Sequence, residues 1–264
     1  MSELLGAGLA DQVARHLPWL RDLYRHLHRH PELSVAEHAT ADQIERELTA
    51  LGLESQRIGG TGVVAVIGNG EGPTVLARAD IDALPMQEGT GLDYVSQTPG
   101  VMHACGHDAH AVALLGAVRV PSEHREGWSG TYIAVFQPGE ETAAGARAMI
   151  EDGLRDRVPT PDVALSQHVM PTAAKTIGTV TGPVLSADES LRITIHGRGA
   201  HGSMPHTSVD PVVLASSVVL RLQTIVSREV EPGQFAVVAV GALTAGTMAN
   251  IIPDAAELLL NIRT

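Results

Sequence analysis

The stretch TVLARADID, residues 74–82, indicates the fold class more clearly than any other part of the chain. A short apolar run bounded by Gly and Pro is typical of a buried strand, and this one ends in Asp80 and Asp82. Similar runs predict further strands, and helical patterns lie between them: strands at 62–67, 131–136 and 163–165, helices at 110–120 and 142–154. Strands that alternate with helices predict an α/β fold, with a mostly parallel catalytic sheet flanked by helices.

The pattern restarts beyond a stretch at 171–188 that contains Pro and Gly. A strand, a helix that Asp210 caps with Pro211 at its first position, and two more strands follow in order. This order predicts a second, smaller α/β domain. We therefore assign residues 1–182 to the catalytic domain and residues 183–264 to the second domain.

The chain before the first predicted strand, at 62–67, predicts two helices. Apolar residues recur at helical spacing over 19–29. Ser34 followed three residues later by Glu37 matches a capping box, which predicts the start of the second helix. Residues 84–104 show no period, so we expect a long loop there.

Composition excludes several classes of function. The 264 residues include 30 acidic and 18 basic side chains, for a formal net charge of −12, and an electrostatic nucleic-acid footprint needs clustered Lys and Arg. A single cysteine, Cys105, rules out an internal disulfide. The N-terminal stretch 1–20 lacks the apolar core of a signal peptide, and no apolar run is long enough to span a bilayer. We expect a cytoplasmic protein that binds neither nucleic acid nor membranes.

Side chains able to bind metals follow three of the predicted strands. Asp80 and Asp82 come after one strand, Glu140 and Glu141 after another, and His168 after a third. Ligands bind at the carboxyl ends of strands in open α/β sheets, so we expect these side chains to converge on one edge. For any one pair, the alternative is a solvated acidic loop.

The densest group of candidate ligands is MHACGHDAH, residues 102–110, where a helix is predicted to begin. Cys105 and His107 lie on either side of Gly106 and can both turn toward one cation. A thiol near a helix N-terminus and a metal is readily deprotonated. The alternative is a buried free cysteine beside surface histidines. Because a structural zinc site needs four Cys or His ligands, and half of such a set is missing locally, an open catalytic site with distant ligands is favoured.

Other candidates have weaker patterns. Of the adjacent Glu140 and Glu141, one can ligate a metal while the other acts on the attacking water as a general base, although an exposed acidic pair before a helix is equally typical. In the second domain, the loop at 197–206 can bring an imidazole to an anionic centre. Arg263 can bind a carboxylate, and Asn250 is a similar candidate. Surface turns and surface residues at strand ends are the alternatives.

At these residues the sequence resembles the M20 metallopeptidase superfamily. The similar branch is the amidohydrolases, which include hippurate hydrolases, N-acyl-amino-acid deacylases and auxin-conjugate hydrolases. The matching motifs occur in family order over nearly the whole chain: HPEL at 30–33, RADIDALP at 78–85, residues 102–110, QPGEE at 137–141, residues 197–206 and NIIP at 250–253.

The resemblance implies a catalytic α/β domain that binds two divalent ions, and an inserted lid domain that often pairs into a homodimer. It assigns the family's positions to residues of this chain as follows: metal ligands Cys105, His107, Glu141 and His168; general base Glu140; oxyanion-stabilising lid residue His201; substrate-binding residues His206, Asn250 and Arg263; and Asp82 supporting the metal site. The ions implied are zinc or manganese, with cobalt or nickel as further candidates.

The implied activity is metal-dependent hydrolysis of N-acyl amino acids, with Glu140 as the base that activates a metal-bound water. One departure is that the family's last catalytic segment, which supplies a further histidine ligand, has no counterpart before Thr264. The sequence therefore leaves two alternatives open. One is an inactive truncated relative that binds metal or dimerises, and the other is a dipeptidase or carboxypeptidase of the same superfamily.

Overall fold

The computed structural model describes residues 2–264, with side chains from residue 8 onward. The chain forms two compact units, one ending at Thr172 and the other spanning Ala173–Thr264. The domain boundary predicted between residues 182 and 183 stays a prediction.

The first unit contains five α-helices, one 3₁₀ turn (Arg125–Gly127) and five strands among its described residues. The helices are α1 (Ser2–Arg29), α2 (His38–Ala50), α3 (His107–Glu123), α4 (Gly145–Glu151) and α5 (Leu154–Arg157). The strands are β1 (Ser55–Ile58), β2 (Gly62–Asn69), β3 (Thr74–Asp80), β4 (Gly130–Gln137) and β5 (Val163–Ser166).

The five strands form one mixed sheet in the order β1-β2-β4-β3-β5. β3 pairs in parallel with both β4 and β5, while β1, β2 and β4 pair antiparallel. The predicted α/β fold with a parallel-containing sheet is confirmed. Two of the four pairings in this sheet are parallel, and two are antiparallel, one in the β1–β2 hairpin and one between β2 and β4. In register, Asp80 lies opposite Gln137, so the segments that follow β3 and β4 leave the sheet at the same edge.

Both faces of this sheet are covered. Successive side chains of a strand point to opposite faces. On β2, Val63 and Ala65 therefore join the core beneath α1, α2 and α3, whereas Val64 packs with Met149 of α4 on the other face. The larger core includes Leu115 and Phe136, both fully buried. The sheet is therefore packed between helices on both of its faces.

The predicted capping box is wrong. α2 begins after Glu37, whose own side chain does not cap the helix. The first-turn N–H groups of Ala39 and Thr40 donate to the Glu32 carboxylate, at 3.1 and 2.8 Å. Instead, the fully buried Glu37 carboxylate accepts hydrogen bonds from the backbone N–H groups of Val35 and Gly139 and from the Thr61 hydroxyl. Three charge-assisted bonds, two of them from groups far away in sequence, satisfy a buried carboxylate more fully than a local cap does. Glu37 thereby holds the turn that precedes Glu140.

The second unit contains β6 (Asp188–His196), β7 (Ala200–His201), α6 (Pro211–Arg228), β8 (Val237–Ala245), β9 (Ile251–Ile252) and β10 (Ala255–Arg263). β6, β10 and β8 form an antiparallel sheet in that order, and α6 packs on it through Ala215. The Asp210 carboxylate accepts from the Val212 N–H at 2.8 Å, so the predicted helix cap is confirmed. Among the described residues, no helix is long and apolar enough to cross a membrane.

Candidate metal centre

The start of α3 places two candidate ligands, Cys105 and His107, on either side of Gly106. His107 is the first residue of the helix, and Gly106 before it has a left-handed φ of 85°. A Cβ atom at position 106 would lie 2.3 Å from Cγ2 of Val169. The backbone angle therefore favours glycine, and any side chain at this position would have to displace the Val169 methyl group.

His107 is fully buried and has its two ring nitrogens in different surroundings. Nδ1 lies 3.1 Å from Oδ1 of Asp82, to which it donates. Nε2 lies 3.8 Å from a carboxylate oxygen of each of Asp80, Glu140 and Glu141. Histidine ligands usually donate their second N–H to an oxygen in this way, leaving the other nitrogen's lone pair for a metal.

Cys105 and His168 meet at the same edge. The Cys105 Sγ lies 3.3 Å from Nε2 of His168, although 63 residues separate them in sequence. The Nδ1–H of His168 donates to the Val169 carbonyl at 2.7 Å. As in His107, the proton of His168 is on Nδ1, so Nε2 is the nitrogen that can bind a soft or borderline metal cation.

The adjacent acids differ in exposure. The Glu141 side chain is 19% exposed and that of Glu140 is 40% exposed. The Glu141 N–H donates to Oδ2 of Asp82 at 3.0 Å, and the Ser34 hydroxyl donates to the same oxygen at 2.7 Å. Asp82 thus orients His107 and the acid pair together, while Glu140 has no side-chain hydrogen bond within the described part of the chain.

Acidic groups dominate the electrostatics. Burial raises the pKa of Glu141, and the charge of Glu140 raises it further against the effect of His107. Burial and the neighbouring Glu141 raise the pKa of the Cys105 thiol to about 12. Burial also opposes ionisation of Asp80, but the hydrogen bond from His110 and the charges of His107 and Arg78 outweigh it and lower that pKa to about 2. A bound cation would relieve the repulsion and favour the thiolate.

The residues present fit divalent cations. Among the described side chains, Nε2 of His107 and Oε1 of Glu141 are buried without any hydrogen-bond partner, 3.8 Å apart. Three groups of side chains bring potential ligand atoms within 4.8 Å of one another, and all three include His107: Cys105 with His168, Asp80 with His110, and Glu140 with Glu141. Unpaired buried polar atoms are costly, and a cation shared by thiol, imidazole and carboxylate would satisfy them.

The second unit also brings two candidate residues together. His201 on β7 pairs with Ile251 on β9, directly after Asn250, whose carbonyl accepts from the Gly202 N–H. His206 lies in a single 3₁₀ turn, Pro205–Thr207. Arg263 is instead at the end of β10 in the three-stranded sheet, where its Nε donates to Asn261.

A search against family models matches residues 76–260 to peptidase family M20/M25/M40. The chain belongs to this family. Among curated relatives, N-acetyl-L-cysteine deacetylase of Bacillus subtilis is 43% identical over 243 residues, which cover 91% of this chain and 58% of the relative. N-acyl-L-amino acid amidohydrolase of Geobacillus stearothermophilus is 41% identical over 244 residues, covering 91% of this chain and 65% of the relative.

A solved M20 structure gives the same fold. The YXEP protein of Bacillus subtilis, described as a dinuclear metal-binding peptidase, superposes with a TM-score of 0.69 at 36% identity, over 97% of this chain and 65% of that one. This chain thus spans less than two thirds of the length of each of these M20 proteins.

The sequence did not predict the contacts that Ser34, Asp80 and His110 make in this M20 chain. The Asp80 Oδ1 accepts from Nδ1 of His110 at 2.5 Å, and Ser34 binds Asp82. Asp80 was predicted to lie at this edge because it follows a strand, but its contact with His110 was not. Ser34 fitted a local helix-cap pattern, which concealed its long-range contact.

A second network of buried, hydrogen-bonded side chains lies beside the candidate metal centre. Nδ1 of His28 on α1 lies 2.6 Å from Oδ2 of Asp108 on α3, and its Nε2 lies 3.4 Å from Oε1 of Glu88 in the long loop. The rings of Tyr24 and Tyr94 pack against it. The hydrogen bond with Asp108 outweighs burial and raises the pKa of His28.

We expect this pair to make stability depend on pH. In the unfolded chain the imidazole has its ordinary pKa of about 6.5. Below that value the His28 contribution is fully present, and it is lost as pH rises through the raised pKa of the folded state. As the pH rises above about 6.5, the free energy of unfolding is therefore expected to fall. The non-titrating His28→Gln variant is expected to show a shallower fall when both proteins are denatured over the same series of pH values. Equal slopes in the two proteins would contradict this prediction.

Proposed function

We propose that this chain is a metal-dependent hydrolase that cleaves the amide bond of N-acyl amino acids. The observation that carries the proposal is the pair of unpartnered buried atoms, His107 Nε2 and Glu141 Oε1, at the edge where Cys105 meets His168. The relatives named for N-acetyl-L-cysteine and N-acyl-L-amino acids support the substrate class.

In the proposed mechanism, Cys105, His107, Glu141 and His168 hold two divalent cations. Zinc or manganese suits this mixed donor set best, with cobalt or nickel as further candidates. When bound, such cations polarise the scissile carbonyl and make water more acidic. Glu140, the more exposed acid of its pair, accepts the proton of the attacking water and returns it to the leaving amine. Asp82 holds His107 in the tautomer that leaves Nε2 free.

The second unit is proposed to supply the groups that bind substrate. Nδ1 of His201 accepts from the Ser203 N–H at 3.2 Å, which leaves Nε2–H as a donor for the developing oxyanion. Arg263 is proposed to bind the free carboxylate of the substrate, with His206 and Asn250 contributing. A free carboxylate on the substrate distinguishes an N-acyl amino acid from a simple amide.

We also propose that the protein works in the cytoplasm as a homodimer formed through the second unit, and that it binds neither nucleic acid nor membranes. The single cysteine, Cys105, supports a reducing compartment. The net charge of −12 argues against a nucleic-acid partner.

A panel of substrates tests this function. The chain, stripped with a chelator and reloaded with Mn²⁺ or Zn²⁺, is expected to hydrolyse N-acetyl and N-benzoyl amino acids, and to lose turnover on stripping. The control substrate is the matching N-acyl amine without a carboxylate, which should react poorly. Faster cleavage of a dipeptide would assign the chain to the peptidases, and absence of turnover with every loaded metal would reject the proposal.

A further inference from the structure

His110 lies one turn after His107 on α3 and is 1% exposed. Its Nδ1 is 2.5 Å from Oδ1 of Asp80, and its Nε2 accepts from the Val169 backbone N–H at 2.9 Å. An ionised carboxylate only accepts and a backbone N–H only donates. These partners therefore fix a neutral imidazole with its proton on Nδ1.

This geometry excludes His110 from direct metal ligation. One of its ring nitrogens lies within 4.8 Å of a carboxylate oxygen of Asp80 and a ring nitrogen of His107, close enough for the three to share a cation. However, a ligand nitrogen needs a free lone pair. Nδ1 carries the proton given to Asp80, and the Nε2 lone pair already accepts from Val169. His110 therefore influences the centre only through its neighbours.

The segment held by His110 contains a proposed metal ligand. β5 ends at Ser166, so His168 and Val169 lie beyond the last pairing of the sheet. Within the described chain, Nε2 of His110 is the acceptor for the Val169 N–H, and the rings of His110 and His168 pack at 4.6 Å. The Val169 side chain also approaches Gly106, which lies between the proposed ligands Cys105 and His107.

We propose that His110 is a positioning residue that ties the end of β3 to the backbone of Val169 and so sets His168 opposite Cys105. The inference rests on the proposed metal centre, because positioning matters only if His168 ligates. This role differs from general packing, because it requires Nε2 of the His110 ring as an acceptor and not only the volume of the side chain.

Two substitutions separate the two nitrogens. In His110→Asn the amide nitrogen replaces Nδ1 and still donates to Asp80, but the side chain stops short of Val169. In His110→Gln the amide oxygen reaches the Nε2 position and accepts from Val169, while Asp80 keeps its contact with Nη1 of Arg78 at 2.8 Å. We expect His110→Asn to weaken Co²⁺ binding by about 10–100-fold, as loss of an outer hydrogen bond does, and His110→Gln to bind nearly as the wild type.

Co²⁺ titration of the metal-stripped chain provides the measurement. The thiolate-to-cobalt charge-transfer band reports Cys105, and the ligand-field bands report the number of nitrogen ligands. Equal weakening in both variants would show a packing role and overturn the inference, as would unchanged binding in His110→Asn. A wild type that binds no Co²⁺ would instead overturn the proposed metal centre, and the inference with it.

A measurement on the unsubstituted, metal-free protein does not depend on how the variants fold. A scalar coupling across the hydrogen bond between the Val169 nitrogen and Nε2 of His110 is expected in the NMR spectrum. Its absence, with the protein folded, would overturn the inference. If His110→Asn fails to fold, the coupling together with retained Co²⁺ binding by His110→Gln would support it.

Discussion

Replacing Glu140 by Gln is expected to lower kcat for hydrolysis of an N-acyl amino acid by about 10²–10⁴-fold, the usual contribution of a general base. Gln keeps the shape of the side chain but cannot accept the proton of an attacking water. The Glu140 side chain is open to solvent, and its Oε2 lies 3.8 Å from Nε2 of His107, at the proposed centre. Steady-state kinetics with Mn²⁺ or Zn²⁺ in excess measure the role of Glu140 as a base. The Co²⁺ affinity measures any role in metal binding separately.

Two other glutamates serve as controls for this experiment. Glu141→Gln is expected to weaken metal binding first, because Oε1 of Glu141 is a buried atom without a partner. Glu151→Gln, at the exposed end of α4, is expected to change neither quantity. Undiminished turnover in Glu140→Gln would reject the base. A parallel loss of metal affinity would make Glu140 a ligand instead.

The convergence of the site could be anticipated from sequence because it depends on a general property of α/β sheets. Asp80, Glu140 and His168 each follow a predicted strand, and the ends of parallel strands share an edge. The structure brings these segments together around His107. The ligand roles themselves remain predictions, since spacing along the chain does not specify which atom binds a cation.

The supporting contacts could not be predicted, because each joins residues far apart in sequence. Glu37 binds Gly139 across 102 positions, and Ser34 binds Asp82 across 48. A local pattern assigned both residues to a helix cap, and tertiary hydrogen bonds took precedence. The two roles of the His110 ring likewise depend on partners from β3 and from the segment after β5. Such contacts become visible only when the strand register is known.

Replacing Gly106 by Ala is expected to lower the free energy of unfolding by about 2–5 kcal/mol, from two separate costs. A left-handed backbone costs a residue with a Cβ about 1–2 kcal/mol. The new methyl group would also lie 2.3 Å from Cγ2 of Val169, and overpacking of this kind costs about 1–3 kcal/mol. Because Cys105 and His107 flank Gly106, and Val169 follows His168, we also expect Co²⁺ affinity to fall by about 10–100-fold.

Gly60 provides a matched control for the backbone cost. Its φ of 88° is close to the 85° of Gly106, but a Cβ there would meet no atom within 4 Å. Gly60→Ala is therefore expected to cost about 1–2 kcal/mol and to leave metal binding unchanged. Denaturation of both variants, with Co²⁺ titration, isolates the effect of the collision with Val169.

The collision also predicts a rescue by a second substitution. Val169→Ala removes the clashing methyl group, and alone it should cost little because Val169 is 50% exposed. Combined with Gly106→Ala, it is expected to reduce the loss of stability to that of Gly60→Ala and to restore most of the Co²⁺ affinity. If the double variant shows no recovery, the close approach of Val169 to Gly106 does not set the geometry of Cys105, His107 and His168. If stability and Co²⁺ affinity recover, the small volume at position 106 is what allows the Cys105–His107 segment and the His168–Val169 segment to form one metal centre.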